Sequence, residues 1–152
     1  MVNFIAMEEF TLNGNGSYLK IEIVEVYGFP KTTSHSGGYD TKSIVEIYSD
    51  GFKVSSIISI STGEIFEFYN SLKQANQFLT GVAYLYHLEG NLECNATYGN
   101  DGHVSINGVF SKQNMLANQL KFEFESDQSY IQSTLIELEI ITNKYGELKG
   151  IK

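Results

Sequence analysis

The side chains best suited to chemistry in this chain are His35, His87, His103 and Cys94, from which a zinc site or a nucleophilic centre would have to be built. None stands in a C-x-x-C, H-x-x-x-H or H-E-x-x-H spacing, so a metal site would need the fold to bring His87 and His103 together. Asn100-Asp101-Gly102 has the composition of a calcium-loop fragment but lacks the other spaced carboxylates and the closing Glu, and reads as a turn. Cys94, the one cysteine, alternates with Leu92, Ala96 and Tyr98, which puts its thiol on an apolar strand face as a buried, inert group. No G-x-S-x-G elbow, P-loop or dinucleotide fingerprint is present, and Glu8-Glu9 and Glu123/Glu125 read as solvated strand faces. The expectation is a protein with no catalytic residues, no metal and no cofactor, and hence not an enzyme.

Binding is better served. Glu22, Glu25, Glu46, Glu93, Glu123 and Glu125 alternate with apolar residues and point outward from strands, where neighbouring strands could gather them against a cationic surface. Tyr18, Tyr27, Tyr48, Tyr84, Tyr86 and Tyr98 supply the aromatic side chain most used at interfaces, and each could equally be a core ring. The formal net charge is −8, and all the basic residues are lysine. Without arginine the chain lacks the planar fork that grips phosphate and guanine, so direct nucleic-acid binding is disfavoured and a basic protein partner is favoured. The N-terminus has no signal-peptide pattern, and no segment approaches the roughly 20 apolar residues of a membrane span. These features predict a cytoplasmic protein without a membrane partner.

The elements that must position these residues follow from pattern. The chain's 152 residues suffice to bury about 70% of the surface an unfolded form exposes. Twenty Tyr and Phe against a single Pro lean towards strands. Asn13-Gly14-Asn15-Gly16 and Asp50-Gly51 each punctuate two apolar stretches, the signal of a hairpin. After the first turn Leu19, Ile21 and Ile23 share a face, then the apolar phase moves to Val24 and Val26, which predicts a β-bulge near Ile23. Pro30 and the run KTTSHSGGYD form the longest polar loop. Ser61 and Glu64 have capping-box spacing, with Ile60 and Ile65 as a staple. The helix that starts there should bury Ile65, Phe68, Leu72, Ala75 and Leu79 and end at Gly81.

Strand alternation resumes at Val82 and runs through LECNATY, a turn at Gly99 to Gly102, and VSINGVF; LKFEFE follows with Leu120, Phe122 and Phe124 inward. The tail SDQSYIQSTLIELEIITNKYG mixes β-branched residues with helical spacing at Ile131, Leu135, Leu138 and Tyr145, and a Ser126 or Asp127 cap and a Gly146 stop favour the helix. No repeat of fixed period and no linker divide the chain. The reading is one α+β domain over residues 1–152: a curved, sandwich-like antiparallel meander of about eight strands with two helices packed against it.

The succession of GNLECNATYGNDGHVSINGVF, LKFEFESDQSYIQSTLIELEIITNKY and the earlier helix after SIISISTGEIFEFYNSL is similar to the WapI-type immunity proteins, over roughly Ser17 to Tyr145. That resemblance implies a small cytoplasmic protein that binds and neutralises a cognate bacterial toxin stoichiometrically, the toxin being a basic nuclease domain, with the immunity protein a monomer or weak homodimer. Such a partner suits a chain of charge −8. The competing readings are a small-molecule binder or enzyme with a tyrosine-lined cavity in a curved sheet, and an interaction module for some other partner.

Overall fold

The computed structural model describes residues 8–87, 89, 91–112 and 118–151. Their strands form two antiparallel four-stranded sheets, each a meander that leads into a helix. In the first sheet β1 (Glu8–Asn13), β2 (Tyr18–Val26), β3 (Thr41–Ser49) and β4 (Phe52–Ile58) lie side by side in chain order, followed by α1 (Thr62–Phe78). In the second, β5 (Val82–Tyr86), β6 (Leu92–Tyr98), β7 (His103–Ser111) and β8 (Gln119–Asp127) repeat that order and lead into α2 (Gln128–Tyr145). The α+β class, the eight strands and the two helices are as the pattern predicts. The meander, however, is broken in two by α1, and a repeat of topology emerges where the residues show no repeat of period.

Local chemistry accounts for the boundaries. Asn13 pairs with Tyr18 across the first turn, and Ser49 pairs with Phe52 across the two-residue turn Asp50-Gly51. The β2/β3 register shifts between Ile23 and Glu25, the bulge that the apolar phase required. At α1, Ser61 Oγ accepts from Glu64 N–H (3.1 Å) while Ser61 N–H donates to Glu64 Oε1 (2.9 Å), with Ile60 and Ile65 both fully buried beside this box. The helix ends at Phe78, three residues before Gly81. Leu79 itself takes the left-handed cap (φ 53°) and is 42% exposed, because its N–H and that of Thr80 both turn back onto Ala75 O. Asp127 caps α2 by accepting from Tyr130 N–H (3.0 Å), and Ile131, Leu135, Leu138, Ile141 and Tyr145 form its buried row, so packing of that row overrides the β-branched content.

The two halves share one connected core, in which Phe10, Leu12, Leu19, Ile21 and Val45 of the first sheet meet Phe68 and Leu72 of α1, Leu85, Leu92 and Ile106 of the second sheet, and Leu138 of α2. The helices pack on each other, and each also packs along the first strand of the opposite half, α1 along β5 and α2 along β1. At β1 this protects a sheet edge. Thr134 Oγ1 donates to Thr11 O (2.6 Å), Thr11 N–H donates to Glu137 Oε1 (3.0 Å), and Ser126 Oγ donates to Asn13 O (2.6 Å), so α2 and its approach supply the partners a further strand would have supplied.

Glu137 carries a cost in this role. Burial raises its carboxyl pKa, the Thr11 bond lowers it less, and the charge of Glu9 raises it again. A carboxyl whose folded pKa lies above its unfolded one stabilises when protonated, and that contribution is lost as pH rises through the folded pKa. At neutral pH its charge is therefore a net penalty. Glu137→Gln keeps an oxygen for Thr11 N–H and removes the charge, so thermal unfolding at pH 7 should shift upward, with the gap to wild type closing as pH falls into the carboxylate range. A lower melting temperature at pH 7 would refute this account.

The polar run after Pro30 is no loose connection. Tyr39 is fully buried, its N–H donates to Thr62 Oγ1 (2.8 Å), and Thr62 N–H donates back to Tyr39 O (2.8 Å). Gly38 and Gly63 allow this docking: a Cβ on Gly38 would lie 2.4 Å from Gly63 N, and one on Gly63 would lie 2.4 Å from Gly37 O.

Candidate partner-binding surface

Each sheet turns one face to the core and the other outward, and strand register decides which outward residues are neighbours. On the second sheet the cross-strand rows read Val82, Thr97, Ser105, Glu125; then Tyr84, Asn95, Asn107, Glu123; then Tyr86, Glu93, Val109, Lys121. The strand at one border thus offers tyrosines, the centre amides, and the far border carboxylates. Tyr84 is 60% and Tyr86 47% exposed, so neither ring is a core residue with a hydroxyl at the rim. Glu93, Asn95, Asn107, Lys121 and Glu123 surround a hollow of about 380 Å³ over the middle of this face. A second hollow of about 400 Å³ is lined by Tyr84 and Tyr86 together with Glu64, Glu67 and Ser71 of α1 and Ser36 of the docked loop. Tyr84 and Tyr86 pair across β5/β6 with Asn95 and Glu93 of the first hollow, so the two hollows are neighbours.

Electrostatics separate this surface from its counterpart. On the first sheet Glu46 lies 3.1 Å from Lys53 Nζ and 3.5 Å from Lys20 Nζ, and the Lys53 bond holds its carboxyl below the usual range. Lys20 also reaches Glu9 at 3.9 Å. Glu22 stands opposite Glu9 on β1, and Glu25, past the bulge, stands opposite Lys42. The outward acids there are interleaved with lysines. On the second sheet Glu93, Glu123, Glu125 and Asp127 face only Lys121 and His103 on the paired strands β6–β8. Glu125 pairs with His103 Nε2 and accepts from Ser105 Oγ (3.3 Å). Of the six acids singled out by alternation, Glu93, Glu123 and Glu125 therefore share one face, whereas Glu22, Glu25 and Glu46 belong to the other sheet.

The chemistry-bearing side chains lie elsewhere. His87 follows β5 and is buried with Nδ1 3.1 Å from Glu64 Oε1, while His103 begins β7 at the opposite end of the same sheet, so the two do not meet. Cys94 points inward, and burial pushes its thiol pKa up to about 12. Tyr98 is also a core ring, its hydroxyl donating to Asn76 Oδ1 (2.8 Å). Among the described residues no group of three or more His, Cys, Asp and Glu side chains is placed to hold a metal ion, and no helix is long and apolar enough to cross a membrane. The surface offers carboxylates, amides and phenol rings, groups suited to holding a partner.

A family model matches this sequence. The chain belongs to the WapI-like family of immunity proteins, matched over residues 10–146, nearly its whole length. No curated protein and no solved structure matches it. Immunity proteins as a family are associated with neutralising toxins and with binding a partner toxin protein.

Proposed function

We propose that this protein neutralises a cognate toxin in the cytoplasm of the producing cell by stoichiometric binding, and that the outer face of β5–β8 is where the toxin docks. The observation that carries this reading is that exposed Tyr84 and Tyr86, with Glu93 next to Tyr86 and Glu123 and Glu125 at the far border, share one outward face on which Lys121 is the one lysine of the paired strands. A nuclease domain presents a basic surface to its substrate phosphates, and an acidic, tyrosine-bearing face competes for that surface by charge and by contact area. The protein then works without chemistry of its own: it covers the toxin's substrate surface and holds it.

The test is co-expression with the toxin domain of the neighbouring reading frame, scored by growth and by co-elution on size exclusion. Rescue with a one-to-one complex is expected. The absence of both rescue and complex would sink the proposal. The electrostatic component predicts an association rate that falls steeply as ionic strength rises from low salt, since the Debye length shrinks to about 8 Å near physiological salt.

A further inference from the structure

Three of the four sheet edges are covered. β1 is met by α2 and β5 by α1, and β8 is met by the first hairpin and the end of β3. At β8 the approach is close: Ser49 Oγ donates to Glu123 O (3.3 Å), and a Cβ on Gly14 would lie 2.4 Å from Glu125 O. β4 holds the place in the first half that β8 holds in the second. Among the described residues, however, no hydrogen bond reaches its outer edge, and only β3 packs extensively on it. Its sequence, FKVSSII, has no proline and no inward charge, and its one lysine, Lys53, is drawn back onto Glu46 of β3. Phe52 is 66% and Ile57 64% exposed, so two of the most exposed large apolar side chains of the described residues sit on this one short strand.

We propose that two copies of this chain pair antiparallel through β4, joining their first sheets into one continuous sheet across a two-fold axis at Ser55. The occupant follows from charge and symmetry. The chain carries a net charge of −8, so two copies can approach only where acids are missing, and β4 carries none. A two-fold at Ser55 sets Lys53 opposite Ile57 and Phe52 opposite Ile58, so neither Lys53 faces its copy, Phe52 gains an apolar neighbour, and Ile57 lies against the methylene stem of Lys53. A basic toxin strand would find no free carboxylate there, since β4 carries none and Glu46 beside it on β3 is already held by Lys53 and Lys20. The pairing leaves the outer face of β5–β8 open, so it stands apart from the toxin-binding reading and is tested without any toxin.

Sedimentation velocity or light scattering over a concentration series should show the wild-type mass rising toward twice that of the monomer. Ser55→Pro, which removes an edge N–H and bends the strand, should raise the dimer dissociation constant by about tenfold or more. Ser55→Cys is the gentler variant. Opposed residues of an antiparallel pair lie about 4.5–5.5 Å apart, within disulfide range, so mild oxidant should cross-link it rapidly. Ile57→Cys, four residues off its own copy, should stay uncross-linked, and native Cys94 is buried and adds no background. A monomer up to about millimolar concentration would overturn the proposal. So would a dimer indifferent to Ser55→Pro, or cross-linking of Ser55→Cys no faster than that of Ile57→Cys. Binding of a toxin strand to β4 in place of a second copy would appear as the first of these, with the free chain monomeric.

Discussion

Replacing Tyr39 by alanine is expected to destabilise the protein by about 3–5 kcal/mol, as for other large aromatic side chains removed from a packed core. The ring is fully buried at the meeting point of three segments. It stands edge-on to Phe29 at 5.2 Å and to Tyr145 of α2 at 6.4 Å, and these contacts bind the loop to the last helix. Its hydroxyl donates to Pro30 O (2.7 Å) and accepts from Ile151 N–H (3.1 Å), which adds the C-terminal segment. Alanine leaves the backbone exchange with Thr62 in place, so the loss isolates the ring and its hydroxyl. Tyr39→Phe keeps the ring and strands two polar groups at a partly open site, at about 1–2 kcal/mol. Urea unfolding of the two variants measures both numbers. A cost below about 1 kcal/mol for the alanine variant would mean that the loop docks without its anchor.

That anchor shows where reading residues in order falls short. Tyr39 lies in KTTSHSGGYD, a stretch with neither the period of a strand nor that of a helix, and periodicity is what marks a residue as core. Its burial depends on Gly38 and Gly63 approaching backbone to backbone, and the partner glycine is 25 positions away. Features set by neighbours in sequence were legible: the two hairpin turns, the bulge after Ile23, the Ser61/Glu64 box, and α2 despite its Ile and Thr. Features set by pairing were not. Alternation tells which way a side chain points, not which strand lies beside it, so it could not tell that β4 and β5 would part. For the same reason the six outward acids looked equivalent, although Lys20 and Lys53 neutralise Glu46 while Glu93 and Glu123 share a hollow. Tyr84 and Tyr86 did carry a signal, their period of two with Val82, but only the exposure of that face separates them from the buried Tyr98.

The proposed docking face gives the second large effect. Tyr84→Ala combined with Tyr86→Ala should weaken toxin binding by at least about 30-fold, since a buried tyrosine hot spot contributes about 2 kcal/mol or more and the two rings line one hollow next to Asn95 and Glu93 of the other. Folding stability should move little, because both rings are largely solvent-exposed in the free protein and rest on no core contact that alanine would open. A matched control exists on the other sheet. Tyr18 and Tyr48 stack at 6.1 Å on its outer face, so Tyr18→Ala with Tyr48→Ala removes the same chemistry from a face that the reading leaves free of toxin. Charge variants divide the effect by rate. Glu93→Lys with Glu123→Lys should act mainly by slowing association and flattening its salt dependence, whereas losing the tyrosines should act by speeding dissociation. Surface plasmon resonance against the toxin domain separates the two constants. Equal losses from both tyrosine pairs, or a loss confined to Tyr18 and Tyr48, would move the docking surface to the first sheet, where Glu22 and Glu46 would become its acids.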